Sequence, residues 1–123
     1  MKRITGNRIV DLSFDFALQI ISFSEQLEQR RKFAIANQIL RSGTSIGANI
    51  SEAQNSESKL DFIHKLKIAA KEAEETEYWL SLCKYADNYP FQEDLLDQVH
   101  EIQRLLTSII ITSKKAIERS NLS

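Results

Sequence analysis

Apolar residues recur along this chain at steps of three and four, the spacing that gathers side chains on one face of an α-helix. Four such segments follow one another. The first is Phe16, Ile20, Phe23 and Leu27, widened by Phe14, Ala17 and Ile21. The second is Ile35, Ile39, Ile46, Ile50 and Ala53, and the third is Leu60, Ile63, Leu66, Ala70, Ala73 and Leu80. The fourth is Leu95, Val99, Ile102, Leu106, Ile109 and Ala116. Together they predict helices over about residues 11–27, 33–55, 59–87 and 91–118. Ser58 with Asp61 three residues on resembles a capping box and marks the third start. Asp87, Asn88, Tyr89 and Pro90 close the third helix, since proline cannot continue it but suits the first position of the next. Glu93 and Asp94 then fall in a first turn, where the helix dipole favours negative charge.

The second segment contains Gly43 and Gly47, and each glycine inside a helix costs about 1 kcal/mol relative to alanine. The apolar register nevertheless stays in phase from Ile39 through Ile46 to Ile50, which predicts one unbroken helix. Ala36, Gly43 and Gly47 then form a groove of small residues that lets a neighbouring helix approach closely. Four helices joined by short connections predict an all-α, antiparallel up-down-up-down four-helix bundle, with residues 1–123 as a single domain. Further apolar residues lie off the seams: Leu96, Leu105, Ile110, Ile111 and Ile117 in the fourth helix, and Ile9, Leu12 and Leu18 in the first. One bundle does not need this much apolar surface inside, so the excess predicts an interface between copies of the chain.

Composition narrows the class. Three Gly, one Pro, 42% hydrophobic and 27% charged residues fit long helices better than a turn-rich sheet protein. No tract of about 18 apolar residues predicts a membrane span. The opening MKRITGNR leads into a charge-interrupted stretch rather than a signal-peptide core, and the lone Cys83 has no internal disulfide partner; both point to the cytoplasm. A net charge of −1 and a pI near 6.1 exclude the global basicity that draws a whole protein to nucleic acid. The distribution is uneven. Eleven Lys and Arg face seven Asp and Glu through Lys71, and five face ten thereafter, an asymmetry suited to steering self-association.

Basic residues cluster at Lys2, Arg3 and Arg8 and again at Arg30, Arg31 and Lys32, at opposite ends of the first helix. Repeated around a cyclic oligomer they would form rings able to meet phosphates, and they are the candidate nucleic-acid contacts. Arg41, Ser45, Asn49 and Glu52 form a polar stripe on the second helix. Glu77 stands four residues after Ala73 and three before Leu80, a place on the core line where a carboxylate requires a cationic partner. A structural polar network joining Arg41 to a third-helix glutamate accounts for both features. Two Asp-x-x-His pairs, Asp61/His64 and Asp97/His100, invite comparison with di-iron bundles, with Glu25 and Glu52 as further donors. Asp replaces the usual Glu and both histidines fall beside the seam, so solvated helix-face histidines are the preferred reading over a metal site. No Gly-rich phosphate loop and no nucleophile with a partner pattern is present, so neither a catalytic residue nor a cofactor is expected.

The stretch from Gln38 to Ala53, QILRSGTSIGANISEA, followed by Phe62 to Ala69 and Glu72 to Leu80, resembles the four-helix-bundle proteins encoded by intervening sequences in 23S ribosomal RNA genes. The likeness covers nearly the whole chain, and the Arg41-Ser42…Ser45-Ile46-x-x-Asn49-Ile50-x-Glu52 pattern is fairly specific. It implies a ring-shaped homopentamer without enzymatic activity. That family is also similar to the accessory protein of diversity-generating retroelements, a pentameric bundle that binds nucleic acid and a reverse transcriptase and, unlike this chain, is strongly basic. The expected function is a non-catalytic oligomeric scaffold or adaptor associated with RNA or a ribonucleoprotein. The alternatives are a protein-binding module without nucleic acid and a metal-binding bundle.

Overall fold

A computed structural model describes residues 4–122, in which four helices follow in order: α1 (Arg8–Gln29), α2 (Phe33–Ala53), α3 (Lys59–Tyr85) and α4 (Glu93–Leu122). No strand occurs among the described residues. Each helix packs on two others. α1 and α3 both lie against α2 and α4, while the diagonal pairs α1/α3 and α2/α4 make no Cα–Cα approach within 8 Å. Phe16, Phe23, Ile39, Ile50, Leu66, Leu80, Leu95, Ile102 and Leu106 are among the fully enclosed side chains that fill the space between them. Burying each such side chain favours the fold by about 1.5–3 kcal/mol.

α2 runs without interruption through both glycines, which stand where α1 presses closely on it. A Cβ at Gly43 would stand 2.8 Å from Cγ2 of Ile20, and one at Gly47 would stand 3.3 Å from the backbone carbonyl oxygen of Ser13. The conformational cost of glycine in a helix is thus offset by a close α1–α2 approach. On the next face, the Ser42 and Thr76 hydroxyls meet 2.9 Å apart in the buried α2–α3 contact. Between α1 and α4 the side-chain amides of Gln19 and Gln98 bond reciprocally at 3.0 and 2.8 Å.

The ends depart from expectation in instructive ways. α1 begins at Arg8 rather than near Asp11, since the Asn7 side chain accepts from the Val10 N–H and caps the helix three residues earlier. It closes with a Schellman arrangement: the Arg31 and Lys32 N–H groups donate to the carbonyls of Glu28 and Leu27, both at 2.8 Å. That geometry puts Arg31 at φ 63°, the left-handed region where glycine usually stands. The Ser58 cap on α3 is as expected, accepting from the Asp61 N–H at 3.0 Å. Pro90 does not open α4. Tyr89, Pro90, Phe91 and Gln92 form a non-helical connection in which half-buried Tyr89 and Phe91 pack on the core, and the helix starts at Glu93.

Several apolar positions also change sides. Ile9 and Leu96 belong to the core, and Leu105 and Ile110 pack against it, so they are not spare surface. Phe14, Ile21 and Leu60, read as stripe residues, are exposed instead, Leu60 to 70%. No helix among the described residues is long and apolar enough to cross a membrane.

Gly43→Ala is expected to destabilise the protein by about 1–3 kcal/mol despite alanine's better helix propensity, because the enclosed Ile20 cannot retreat. Urea denaturation checks it. A double-mutant cycle with Ile20→Ala should give a combined cost below the sum of the single costs, since removing the Ile20 branches leaves room for the new methyl.

Candidate functional site

The candidate contact residues divide between the ends of α1. Lys2 and Arg3 lie outside the described residues. Arg8 is exposed at the start of α1 and pairs with Glu101 on α4. Arg30, Arg31 and Lys32 fill the α1–α2 connection at the opposite end. There the Arg30 guanidinium donates to the Asn88 carbonyl at 2.6 Å, and the Lys32 ammonium stands 4.7 Å from the centre of the Tyr89 ring. Among the described residues, Arg8 therefore does not meet the second group within one chain. The second binds the α3–α4 connection, which holds its charges in fixed places at one end of the molecule.

The expected single polar network is two separate ones. On the α2–α3 face, Arg41 forks between Glu72, at 3.2 Å, and Glu75. The Glu75 carboxylate, chiefly, raises the Arg41 pKa above its ordinary value. Glu52 accepts from Lys65 at 3.1 Å about three turns further along α2. Ser45 and Asn49 do not join across the helices: Ser45 donates to the Arg41 carbonyl at 2.6 Å and Asn49 to the Ser45 carbonyl at 2.9 Å, both within α2. These pairs are partly exposed, so each contributes only about 0.2–1 kcal/mol.

Glu77 belongs to the other face. It lies 2.6 Å from His100 Nε2 and accepts from the Gln103 amide at 3.1 Å, both on α4. Five residues turn a helix by about 140°, so Glu77 and Glu72 point to different neighbours. Thr76, not Glu77, occupies the buried core line. The Gln103 amide first, and His100 after it, hold the Glu77 carboxyl below the ordinary carboxylate range, outweighing the opposing effect of burial.

The two histidines stand at different heights. His100 meets Glu77, whereas Lys67, three residues past His64, faces Lys114 far along α4. Among the described residues no group of three or more His, Cys, Asp or Glu is placed to hold a metal ion. Cys83 is enclosed, and burial pushes its thiol up to about 11. It stays protonated near neutrality and is a poor nucleophile there.

Two features escaped sequence reasoning. One is the buried Ser42–Thr76 hydroxyl pair. Its signal was present in Ser42, which stands three after Ile39 and four before Ile46, and in Thr76, which stands three after Ala73 and four before Leu80. The other is a pair of apolar depressions. Ile35, Leu82, Cys83, Tyr85, Ala86 and Tyr89 line a groove of about 360 Å³ between α2 and the end of α3. A second, of about 240 Å³, lies between α1 and α2 beside Phe14, Ala17, Gly47 and Ala48. Residues from separate helices form both, so no local pattern announces them.

Glu77→Gln is expected to cost under about 1 kcal/mol at neutral pH, with a definite pH signature. Because the folded pKa of Glu77 is depressed, its contribution is fully present above the unfolded carboxylate value of about 4.3 and is lost as pH falls through the folded value. The stability difference between wild type and variant, measured by denaturation from pH 7 to pH 3, should be constant at the upper end and shrink at the lower.

Among curated proteins, none matches the chain. A crystal structure of a protein of unknown function from the S23 ribosomal protein family of Bacteroides thetaiotaomicron VPI-5482 is similar, with a TM-score of 0.79 and 47% sequence identity. The match covers 83% of this chain and 97% of that one. The family model described as 23S rRNA-intervening sequence protein matches residues 6–108, a span that takes in the glycine contact, the Arg41 and Glu77 pairings and both grooves. The chain belongs to the 23S rRNA-intervening sequence protein family.

Proposed function

We propose that this protein is a non-catalytic, cytoplasmic scaffold or adaptor whose helices alternate up-down-up-down and whose copies assemble into a ring-shaped homopentamer associated with RNA or a ribonucleoprotein. Contacts between facing residues support the alternation: Ser13 and Ile20 of α1 meet Gly47 and Gly43 of α2, and Glu77 and Lys84 of α3 meet His100 and Glu93 of α4. The observation that carries self-assembly is the apolar outer surface. Leu18 and Ile21 on α1, and Tyr78, Leu82 and Tyr85 on α3, are exposed although each stands at helical spacing with its neighbours. Exposed apolar residues gathered at helical spacing are normally covered in a protein that works in water.

The RNA arm rests on the Arg30, Arg31 and Lys32 cluster, which a cyclic arrangement would repeat once per subunit. Multivalency then compensates for weak single contacts. The alternative, a protein-binding module without nucleic acid, is favoured by the net charge of −1 and by the protein partners that Arg8, Arg30 and Lys32 already have.

Light scattering on the purified chain is expected to give a mass near five times 14.1 kDa, and a monomer at micromolar concentration overturns the scaffold reading. Binding to structured RNA, measured at about 50 and 200 mM salt, should weaken steeply at the higher concentration, and Arg31→Gln should reduce the slope. No binding at the lower salt ends the RNA arm and leaves the protein-binding module.

A further inference from the structure

Along the seam between α3 and α4 the carboxylates are largely matched and the cations are not. Glu77 is held by His100 and Gln103, Glu101 turns to Arg8, and Glu72 and Glu75 turn to Arg41 on the opposite flank. Lys67 and Lys71 on α3, and Arg104 and Lys114 on α4, are exposed and form no ion pair among the described residues. Between Lys67 and Glu77, and between His100 and Lys114, Glu74 is the one carboxylate without an ion pair among the described residues. Helix geometry gathers the four cations. Lys71 follows Lys67 by one turn, and His100, Arg104, Thr107, Ile111 and Lys114 recur at steps of four and three, so they share the flank of α4 that meets Glu77. Lys67 and Lys114 meet at the far end of this flank, where contact with the Lys114 side chain lowers the Lys67 pKa. At the near end His100, Gln103, Arg104 and Thr107 line a depression of about 400 Å³.

We propose that this flank of α3 and α4 binds the sugar-phosphate backbone of helical RNA, with Lys67, Lys71, Arg104 and Lys114 as the phosphate contacts. The inference rests on the RNA association put forward above and gives it a second surface. The Arg30 guanidinium and the Lys32 ammonium already serve the α3–α4 connection, whereas the cations of the flank are unmatched apart from the nearby Glu74. Ten residues of helix extend about 15 Å, so the row from Arg104 to Lys114 spans several phosphates. Two ammonium groups as close as those of Lys67 and Lys114 repel, and a phosphate between them relieves that repulsion. No Phe, Tyr or Trp lies between Lys67 and Glu77 or between His100 and Lys114, so the flank offers no ring on which an unpaired base could stack. That favours a double-helical backbone over a single strand and makes the binding indifferent to sequence.

Two RNA hairpins of unrelated sequence, titrated against the full chain at about 50 and 200 mM salt, test this. The wild type is expected to bind both equally, with an affinity that falls steeply at the higher salt. Lys67→Gln, Lys71→Gln, Arg104→Gln and Lys114→Gln should each lower the slope of log affinity against log salt by about 0.7–0.9. All four positions are exposed, so the helical circular dichroism signal and the light-scattering mass should be retained; if one variant loses either, the other three carry the test. Glu74→Gln should tighten binding, while Glu25→Gln, the same change in net charge on α1, should not. Failure of the wild type to bind at the lower salt defeats the RNA association itself. Wild-type binding with unchanged slopes in the variants leaves that association standing and overturns this surface. Equal effects of Glu74→Gln and Glu25→Gln overturn it too, since overall charge would then account for the attraction. A preference for one hairpin over the other overturns the backbone contact.

Discussion

The closeness of α1 to α2 is the constraint on which the remaining geometry depends. Ile20 enters the space above Gly43, and the Ser13 carbonyl rests against Gly47, one turn further along α2. Two contacts at successive turns fix distance, rotation and register together, as a single contact could not. Once Ile20 is seated there, Phe16, Phe23 and Leu27 must point to the shared interior, because they stand at helical spacing with it. Leu18 and Ile21 must then point outward by the same rotation. The exposed apolar face of α1 is therefore a consequence of how its buried face is held, and not a failure to bury it.

Polar contacts refine this arrangement without driving it. The Ser42–Thr76 pair lets two small hydroxyl residues occupy core positions at the α2–α3 contact without leaving a donor bare. Thr76 also lies 2.8 Å from the Glu72 carbonyl, so the pair is joined to its own helix as well. Around this centre the charged and polar contacts sit at the rim, where solvent screens them: Arg41 with Glu72 and Glu75 on one side, Glu77 with His100 on the other. Their value is orientation. They fix which flank of α3 faces α2 and which faces α4, and thereby direct Tyr78, Leu82 and Tyr85 away from the bundle. One buried group remains unmatched, since the Trp79 indole N–H meets no acceptor among the described residues.

Helix identity and continuity were legible in the sequence because phase is a property of spacing alone. The register from Ile39 to Ile50 outweighed two glycines, and α2 is continuous. Which side of a helix faces which neighbour was less legible, and the errors share that cause. Glu77 was placed on the core line because it is four from Ala73 and three from Leu80; Thr76, three and four from the same residues, satisfies the rule equally, and only the packing of α4 separates them. Ile9 and Leu96 looked like spare surface because they lie near helix ends, where the width of the apolar stripe depends on what closes the bundle. The start of α1 was missed although Asn7 carried a readable cap signal, whereas the delayed start of α4 follows from Tyr89 and Phe91 anchoring the connection, a tertiary effect. The family likeness was readable in the residues around Arg41 to Ala53, the same segment that supplies the glycine contact.

The uneven charge of the chain acquires meaning only when mapped onto these faces. Half-chain totals say that the beginning is basic and the end acidic, yet α1, within the basic half, carries only carboxylates between Ile9 and Gln29. The basic excess of that half lies in the α1–α2 connection and along the first part of α3. The charge pattern thus alternates from one element to the next, and the rotation of each helix decides what it presents. Apolar burial alone would attract any exposed face to any other, including each face to its own copy. Carboxylates along α1 therefore oppose contact between two copies of that face, since like charges would meet across it.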